Sequence, residues 1–217
     1  MTKPMIGILG AGKLGVSLGQ LARQADYPVG IAASGSAEKI ELTVEVLVPG
    51  AKAYTSEELT QIADIIILAL PLSKYRQIDS ERLKDKLVID AMNYWWEVDG
   101  TDQVFSDENF SSSERVQQYF DKSIVVKAFN HMGYHDLVDN AKQETTANRK
   151  ALLIAGDDEK AIRQVEKIVD DFGFTPLNIG QLKNGVILET GHPLFGASLG
   201  LEESKEMVKR SLEEIRK

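Results

Sequence analysis

Met5-Ile6-Gly7-Ile8-Leu9-Gly10-Ala11-Gly12-Lys13-Leu14-Gly15 is where this chain declares its fold. Its first five residues are a short apolar run with the character of a buried strand. From Lys13 to Ala25 the period changes, and Leu14, Leu18, Leu21, Ala22 and Ala25 fall on one helical face. A strand, a glycine turn and a helix in that order form a dinucleotide-binding fingerprint. Gly10 permits the tight turn, Gly12 lets the backbone approach a pyrophosphate, and Gly15 lets the helix pack close to its strand. Lys13 and Leu14 add the first free N–H groups of the helix, whose positive dipole end favours phosphate oxygens.

Outward from that turn, Val29-Gly30-Ile31-Ala32-Ala33 reads as the second strand, whose end should lie beside the adenosine ribose. An NAD site places Asp or Glu there to accept from the ribose 2′-OH. This chain has Ser34-Gly35-Ser36-Ala37, with Lys39 one helical turn on. Hydroxyls from Ser34 and Ser36 and the Lys39 ammonium suit a 2′-phosphate, which a carboxylate would repel. The pattern favours NADP over NAD, with Glu38 the one dissonant neighbour.

Strand and helix alternate through the N-terminal part, as a parallel α/β sheet requires. Ala37 to Val48 reads as a helix ending at Pro49-Gly50, Ala51 to Thr55 as a short strand, and Ser56 as a helix N-cap. Asp64 to Leu70 is a continuous β-type run that stops at Pro71. Lys86 to Asp90 and Ser123 to Ala128 are two more strands. Between these two, Asp99 to Glu114 reads as loop leading into a helix that ends near Phe120. Further on come a strand at Lys150 to Ala155, a helix stopped by Gly173, a strand at Phe174 to Ile179, and a final helix from Leu201 to Lys217. The expected fold is α/β: a Rossmann-type doubly wound, mainly parallel sheet with a small α/β C-terminal extension. The division is residues 1–140 for the NADP-binding domain and 141–217 for an extension packed on it, with no flexible linker between them.

In open α/β sheets the ligand lies outside the carboxyl ends of the strands. That rule selects the glycine turn, Leu70-Pro71-Leu72, Asp90 to Trp96, and Phe129-Asn130-His131-Met132-Gly133. Asn93 and Asn130 can hydrogen-bond ring or carboxamide groups, and Tyr94, Trp95, Trp96 and Phe129 offer flat apolar walls. His131 is a candidate proton source beside its alternative, a hydrogen-bonded structural imidazole. A metal reading of His131, His135 and Asp136 is disfavoured by Gly133 and by the lack of an HExxH pattern. His192 sits on a turn that could fold back over the pocket.

Gly10 to Gly15, Ala69-Leu70-Pro71, Val88-Ile89-Asp90-Ala91-Met92-Asn93 and Lys127-Ala128-Phe129-Asn130 together resemble the NADP oxidoreductases that use the deazaflavin coenzyme, factor 420. The reductase domains of some membrane ferric reductases are built similarly. The resemblance implies a Rossmann domain with a small extension, NADP binding, commonly homodimers, and hydride exchange between NADPH and a flat tricyclic acceptor. Members that bind NADP often carry Ser-Arg after the second strand; here Ser34 is kept and Gly35 stands in the arginine's place.

Composition limits the alternatives. With 217 residues, 43% of them hydrophobic, the chain can fill one nucleotide domain and a modest addition. The net charge of −8 argues against a nucleic-acid surface, and zero cysteines exclude thiol catalysis, disulfides and Cys-ligated metal. A first strand starting by Met5, and no apolar run longer than Ile65 to Leu72, predict a cytoplasmic protein with no membrane partner. A small-molecule acceptor is the expected partner. Two other functions compete: a small imine or 2-hydroxy-acid reductase, such as pyrroline-5-carboxylate reductase, and a non-catalytic NADP(H)-binding regulator. The imine and hydroxy-acid enzymes continue into a long all-helical region, whereas Lys150 to Ile179 reads strand–helix–strand.

Overall fold

A computed structural model describes residues 2–100, 110–141 and 148–215. The run Ile6–Leu9 is β1 and is buried throughout; Lys13–Gln24 is α1. There follow β2 (Val29–Ala32), α2 (Glu38–Leu47), β3 (Lys52–Tyr54), α3 (Ser56–Ile62) and β4 (Ile65–Leu68). Two 3-10 turns, Leu72–Gln77 and Ser80–Leu83, lead into β5 (Leu87–Asp90). Beyond β5 lie α4 (Trp96–Asp99), α5 (Ser112–Tyr119), β6 (Ile124–Lys127) and α6 (Tyr134–Asn140). The chain then forms β7 (Ala151–Gly156), α7 (Glu159–Asp171), β8 (Thr175–Asn178), a 3-10 segment (Leu182–Leu188) and α8 (Leu201–Glu214).

The strands make one eight-stranded sheet in the order β3-β2-β1-β4-β5-β6-β7-β8. Every pair is parallel except β6 with β7, where Val126 faces Gly156 and Lys127 faces Ala155. Helices flank this mostly parallel sheet, and the fold is Rossmann-like. Strands β1, β4 and β5 are buried on both faces, which is why they read as unbroken apolar runs rather than as alternation. One core cluster joins Ile8, Leu18, Ile31, Ile67, Ile89, Val126 and Ile154. A second, with Leu68, Val88, Tyr75, Val116 and Phe120, includes residues of the 3-10 turns and α5.

Two expectations change locally. Thr55, not Ser56, caps α3: its hydroxyl accepts from Glu58 N–H while the Glu58 carboxylate accepts from Thr55 N–H. The sequence pattern S/T-x-x-E fits Thr55 to Glu58, so the signal was one residue earlier than the one first read. Gly133, which weighs against a helix carrying both His131 and His135, is instead the N-cap of α6, with Tyr134 the first helical residue. Part of the loop expected between Asp99 and Glu114, residues 101–109, lies outside the described residues, as do 216–217 of the last helix.

Candidate functional site

The sheet order sets the carboxyl ends of β1, β4, β5 and β6 side by side. The glycine turn, Leu70-Pro71, Asn93 and Asn130 therefore follow four adjacent strands. At the turn, Gly10 has φ +128°, and a Cβ built on it would lie 2.1 Å from the Ala69 carbonyl oxygen. A Cβ at Gly15 would lie 1.9 Å from the Gly10 carbonyl oxygen, so both positions are closed to any side chain. Gly12 differs: a Cβ there meets nothing within 4 Å. Gly12 is the N-cap of α1 with no side-chain capping bond, and it is exposed along with Lys13. Open space over free helix-start N–H groups is a cradle that fits a pyrophosphate. Leu14 is half-buried against the core, and the Lys13 ammonium lies 5.3 Å from the centre of the Tyr134 ring on α6.

At the end of β2, Ser34, Gly35 and Ser36 are exposed, and Gly35 has φ +103°. A Cβ on Gly35 would sit 3.3 Å from Lys39 Nζ, so the ammonium folds back over this loop. One cation and two hydroxyls thus share the region where the ribose of a dinucleotide would lie. Leu70 is half-buried and Pro71 exposed at the end of β4.

Asn93 and Asn130 bond reciprocally across the ends of β5 and β6. Asn93 Nδ2 donates to the Asn130 carbonyl at 2.7 Å, and Asn130 Nδ2 donates to Asn93 Oδ1 at 3.0 Å. Asn130 Nδ2 also donates to the Leu188 carbonyl at 2.8 Å. Both amide hydrogens of Asn130 are thereby used, which fixes its orientation and leaves its buried Oδ1 without a partner. An orphaned acceptor of this kind fits a ligand donor such as a carboxamide.

His131 does not belong to this row. It is 1% exposed, and its Nε2 accepts from Leu153 N–H on β7 at 3.1 Å. Burial pushes its pKa down to about 4, against a backbone hydrogen bond to Ala197. The ring is a neutral acceptor fastened to the β7 backbone, which corrects the expectation of a proton source. Phe129 is likewise no wall for a heterocycle: it is fully buried, with ring centroids 5.5 Å from Phe172. Trp95 and Trp96 are 46% and 63% exposed, so neither is core packing. Trp95 meets Phe195 edge-on at 5.5 Å, which sets the 189–196 segment with His192 beside the loop after β5. A separate hollow of about 480 Å³ is lined by Glu114, Asp157, Gln181 and Lys183, none of them selected from sequence.

Beneath the asparagine pair lies a buried polar network. Asp90 and Lys127 occupy the last positions of β5 and β6, are register partners, and are both fully buried. Lys127 Nζ donates to Asp90 Oδ2 at 3.2 Å and to the Met92 carbonyl at 2.7 Å. Asp90 also accepts from Met92 N–H at 2.9 Å and from the Ser113 hydroxyl at 2.7 Å. Glu189 accepts from the N–H and hydroxyl of Ser112, at 2.8 and 2.9 Å. Burial raises the Glu189 carboxyl above its usual range, with Lys127 and Ser112 acting against the rise. A sequence signal existed: Leu-Val-Ile-Asp and Ile-Val-Val-Lys are apolar runs ending in opposite charges.

The chain is similar to several known proteins. Residues 5–94 match the family described as NADP oxidoreductase, coenzyme F420-dependent. Metalloreductase STEAP3 of Rattus norvegicus is 26% identical over 181 residues, covering 82% of this chain but only 34% of that protein. This chain thus spans about a third of its curated relative. Among solved structures, a hypothetical protein from Sinorhizobium meliloti superposes with a TM-score of 0.79 at 26% identity, over 92% of this chain and 96% of that one. A protein described as an F420-dependent NADP reductase from Arthrobacter gives 0.70 at 18% identity, covering 85% and 88%. An imine reductase from Pseudomonas gives 0.59 at 19%, covering 82% and 56%. The last two likenesses speak for the fold. Over residues 5–94 the chain is thus similar to the NADP oxidoreductases described as coenzyme F420-dependent.

Proposed function

We propose that this protein transfers a hydride between NADPH and a flat conjugated acceptor, a deazaflavin such as factor 420 or a related flavin-like molecule. One observation carries the reading: the open glycine turn after β1 and the Asn93–Asn130 pair after β5 and β6, with its unpartnered Asn130 Oδ1, sit at the same end of one sheet with only β4 between them. The family matched by residues 5–94 supports both the cofactor and the acceptor class.

The reduced nicotinamide, when bound, supplies the hydride. The chain's own task is placement. Backbone N–H groups at Gly12, Lys13 and Leu14 hold the pyrophosphate, and Ser34, Ser36 and Lys39 hold the 2′-phosphate. Leu70 and Pro71 bound the pocket at the end of β4. Asn130 Oδ1 accepts from the carboxamide, and Asn93 keeps the Asn130 amide turned that way. Direct transfer between two ring carbons asks no side chain to ionise, so position, orientation and exclusion of water are what the residues provide. The exposed Trp95 and Trp96 lie on the open side, where a flat acceptor can reach the ring.

Anaerobic oxidation of NADPH and NADH, followed at the nicotinamide absorbance band, tests the reading with factor 420, FMN, riboflavin and pyrroline-5-carboxylate as acceptors. Turnover with factor 420 and NADPH is expected. Turnover with the imine alone would move the substrate class. NADPH binding with no turnover across the panel would favour a regulator.

A further inference from the structure

Asp90 and Lys127 are charged, wholly buried, and remote from any role the proposed function gives them. A buried pair of this kind is weak evidence for stability, because desolvation of both ions offsets most of their attraction. Its geometry suggests a second use. The two ions grip one peptide segment from both sides: Asp90 Oδ1 takes the Met92 N–H and Lys127 Nζ gives to the Met92 carbonyl. Met92 directly precedes Asn93, and Lys127 stands three residues before Asn130. The charged pair and the asparagine pair are therefore two rungs joining the same two strand ends. The lower rung is also sealed. A Cβ on Gly185 would lie 3.4 Å from Lys127 Cγ, so the 3-10 segment covers the lysine stem, and the Ser112 hydroxyl lies 3.5 Å from its Nζ. Glu189, held by Ser112, closes the far side.

We propose that Lys127, held by Asp90, is a positioning residue for the nicotinamide end of the cofactor. It fixes the Met92 peptide, and through it the Asn93–Asn130 amides that meet the ring. The inference rests on the proposed cofactor site but not on the identity of the acceptor. Among the described residues nothing in the network reaches the glycine turn or the Ser34–Lys39 loop, so the two halves of the cofactor should respond differently.

The test compares two ligands, NADPH and 2′-phospho-ADP-ribose, which lacks the nicotinamide ring. Calorimetric titration of the intact protein gives the affinity ratio between them. Lys127→Met should leave 2′-phospho-ADP-ribose binding within about twofold while weakening NADPH roughly tenfold, the scale of one charge-assisted hydrogen-bond network lost. That variant strands a buried carboxylate. The double variant Asp90→Asn/Lys127→Met removes both charges, and should recover thermal stability without recovering the ratio. A wild-type ratio preserved in both variants would overturn the inference, and so would parallel loss of both ligands or failure of both variants to fold. Wild-type protein that bound neither ligand would remove the cofactor site itself, a different result from a site that binds and does not discriminate.

Discussion

At the scale of single residues, charge and burial lead to two measurable outcomes. Lys39 is exposed and its Nζ lies over Gly35, so the role the proposed function gives it, attraction to a dianionic group, would be local and would leave the core untouched. Lys39→Ala should weaken NADPH binding by roughly tenfold and leave NADH binding nearly unchanged, since only NADPH carries the 2′-phosphate. Equal loss for both cofactors in a fluorescence titration would move the 2′-phosphate away from this loop. His131 is the other case. Its folded pKa of about 4 lies below the ordinary value near 6.5, so between those values the unfolded chain binds more protons. The neutral ring's contribution is complete above pH about 6.5 and is lost as pH falls toward 4, a difference of about 3 kcal/mol. His131→Gln, which keeps an acceptor for Leu153 N–H, should flatten the acid limb of the stability curve. Chemical denaturation of both proteins across that range measures the difference, and the opposite titration of Glu189 cancels between them.

Among the elements, the β1–α1 turn separates three glycines that the sequence presents alike. Gly10 and Gly15 are glycine because carbonyl oxygens occupy the space a Cβ would need. Gly12 is glycine although its own surroundings are empty and its φ of −79° suits any residue. Gly12→Val should therefore leave the melting temperature within about 3 °C of wild type while abolishing NADPH binding, whereas Gly10→Ala should damage the fold. Retained binding in Gly12→Val would give the turn another purpose. Strands β1, β2, β4 and β5 were legible because parallel strands buried on both faces leave apolar runs between turn residues. Helix α6 and the 3-10 segment at Leu182–Leu188 were not, since each is short and follows a glycine- or glutamine-containing turn with no clear period. Of the strand-end row, Asn93 and Asn130 were legible from position alone. The inward turn of His131 and Phe129 was not, because it depends on β7 and α7, packed there from distant parts of the sequence.

At the scale of the whole molecule, strands β7 and β8 of the C-terminal segment extend the same Rossmann-like sheet. Strand β7 pairs with β6, and the stretch from Leu188 to Gly196 returns across the strand ends. Leu188 accepts from Asn130, Glu189 from Ser112, and Gly196 N–H donates to the His131 carbonyl at 2.7 Å. Thr190 Oγ1 donates to the Tyr94 carbonyl at 3.3 Å, tying the same segment to the loop after β5. On the other side of the sheet, Asp171 at the end of α7 accepts from Tyr27 and Lys3 near the start of the chain. Residues of β7 and α7, among them Leu152, Ile154, Val165, Ile168 and Phe172, also share the main core cluster with the N-terminal strands, so separation of the two parts would expose that apolar surface and is costly. One cooperative unfolding transition is therefore expected. Trp95 packs on Phe195 of the C-terminal segment, so in a Trp95→Phe variant the remaining fluorescence, from Trp96, reports the N-terminal part, whereas far-ultraviolet circular dichroism reports helices from both. In urea the two signals should trace one curve with a shared midpoint. A dichroism loss preceding the fluorescence change would mean that β7 to α8 unfolds first, and that the strand-end site keeps its asparagine pair without the segment that closes over it.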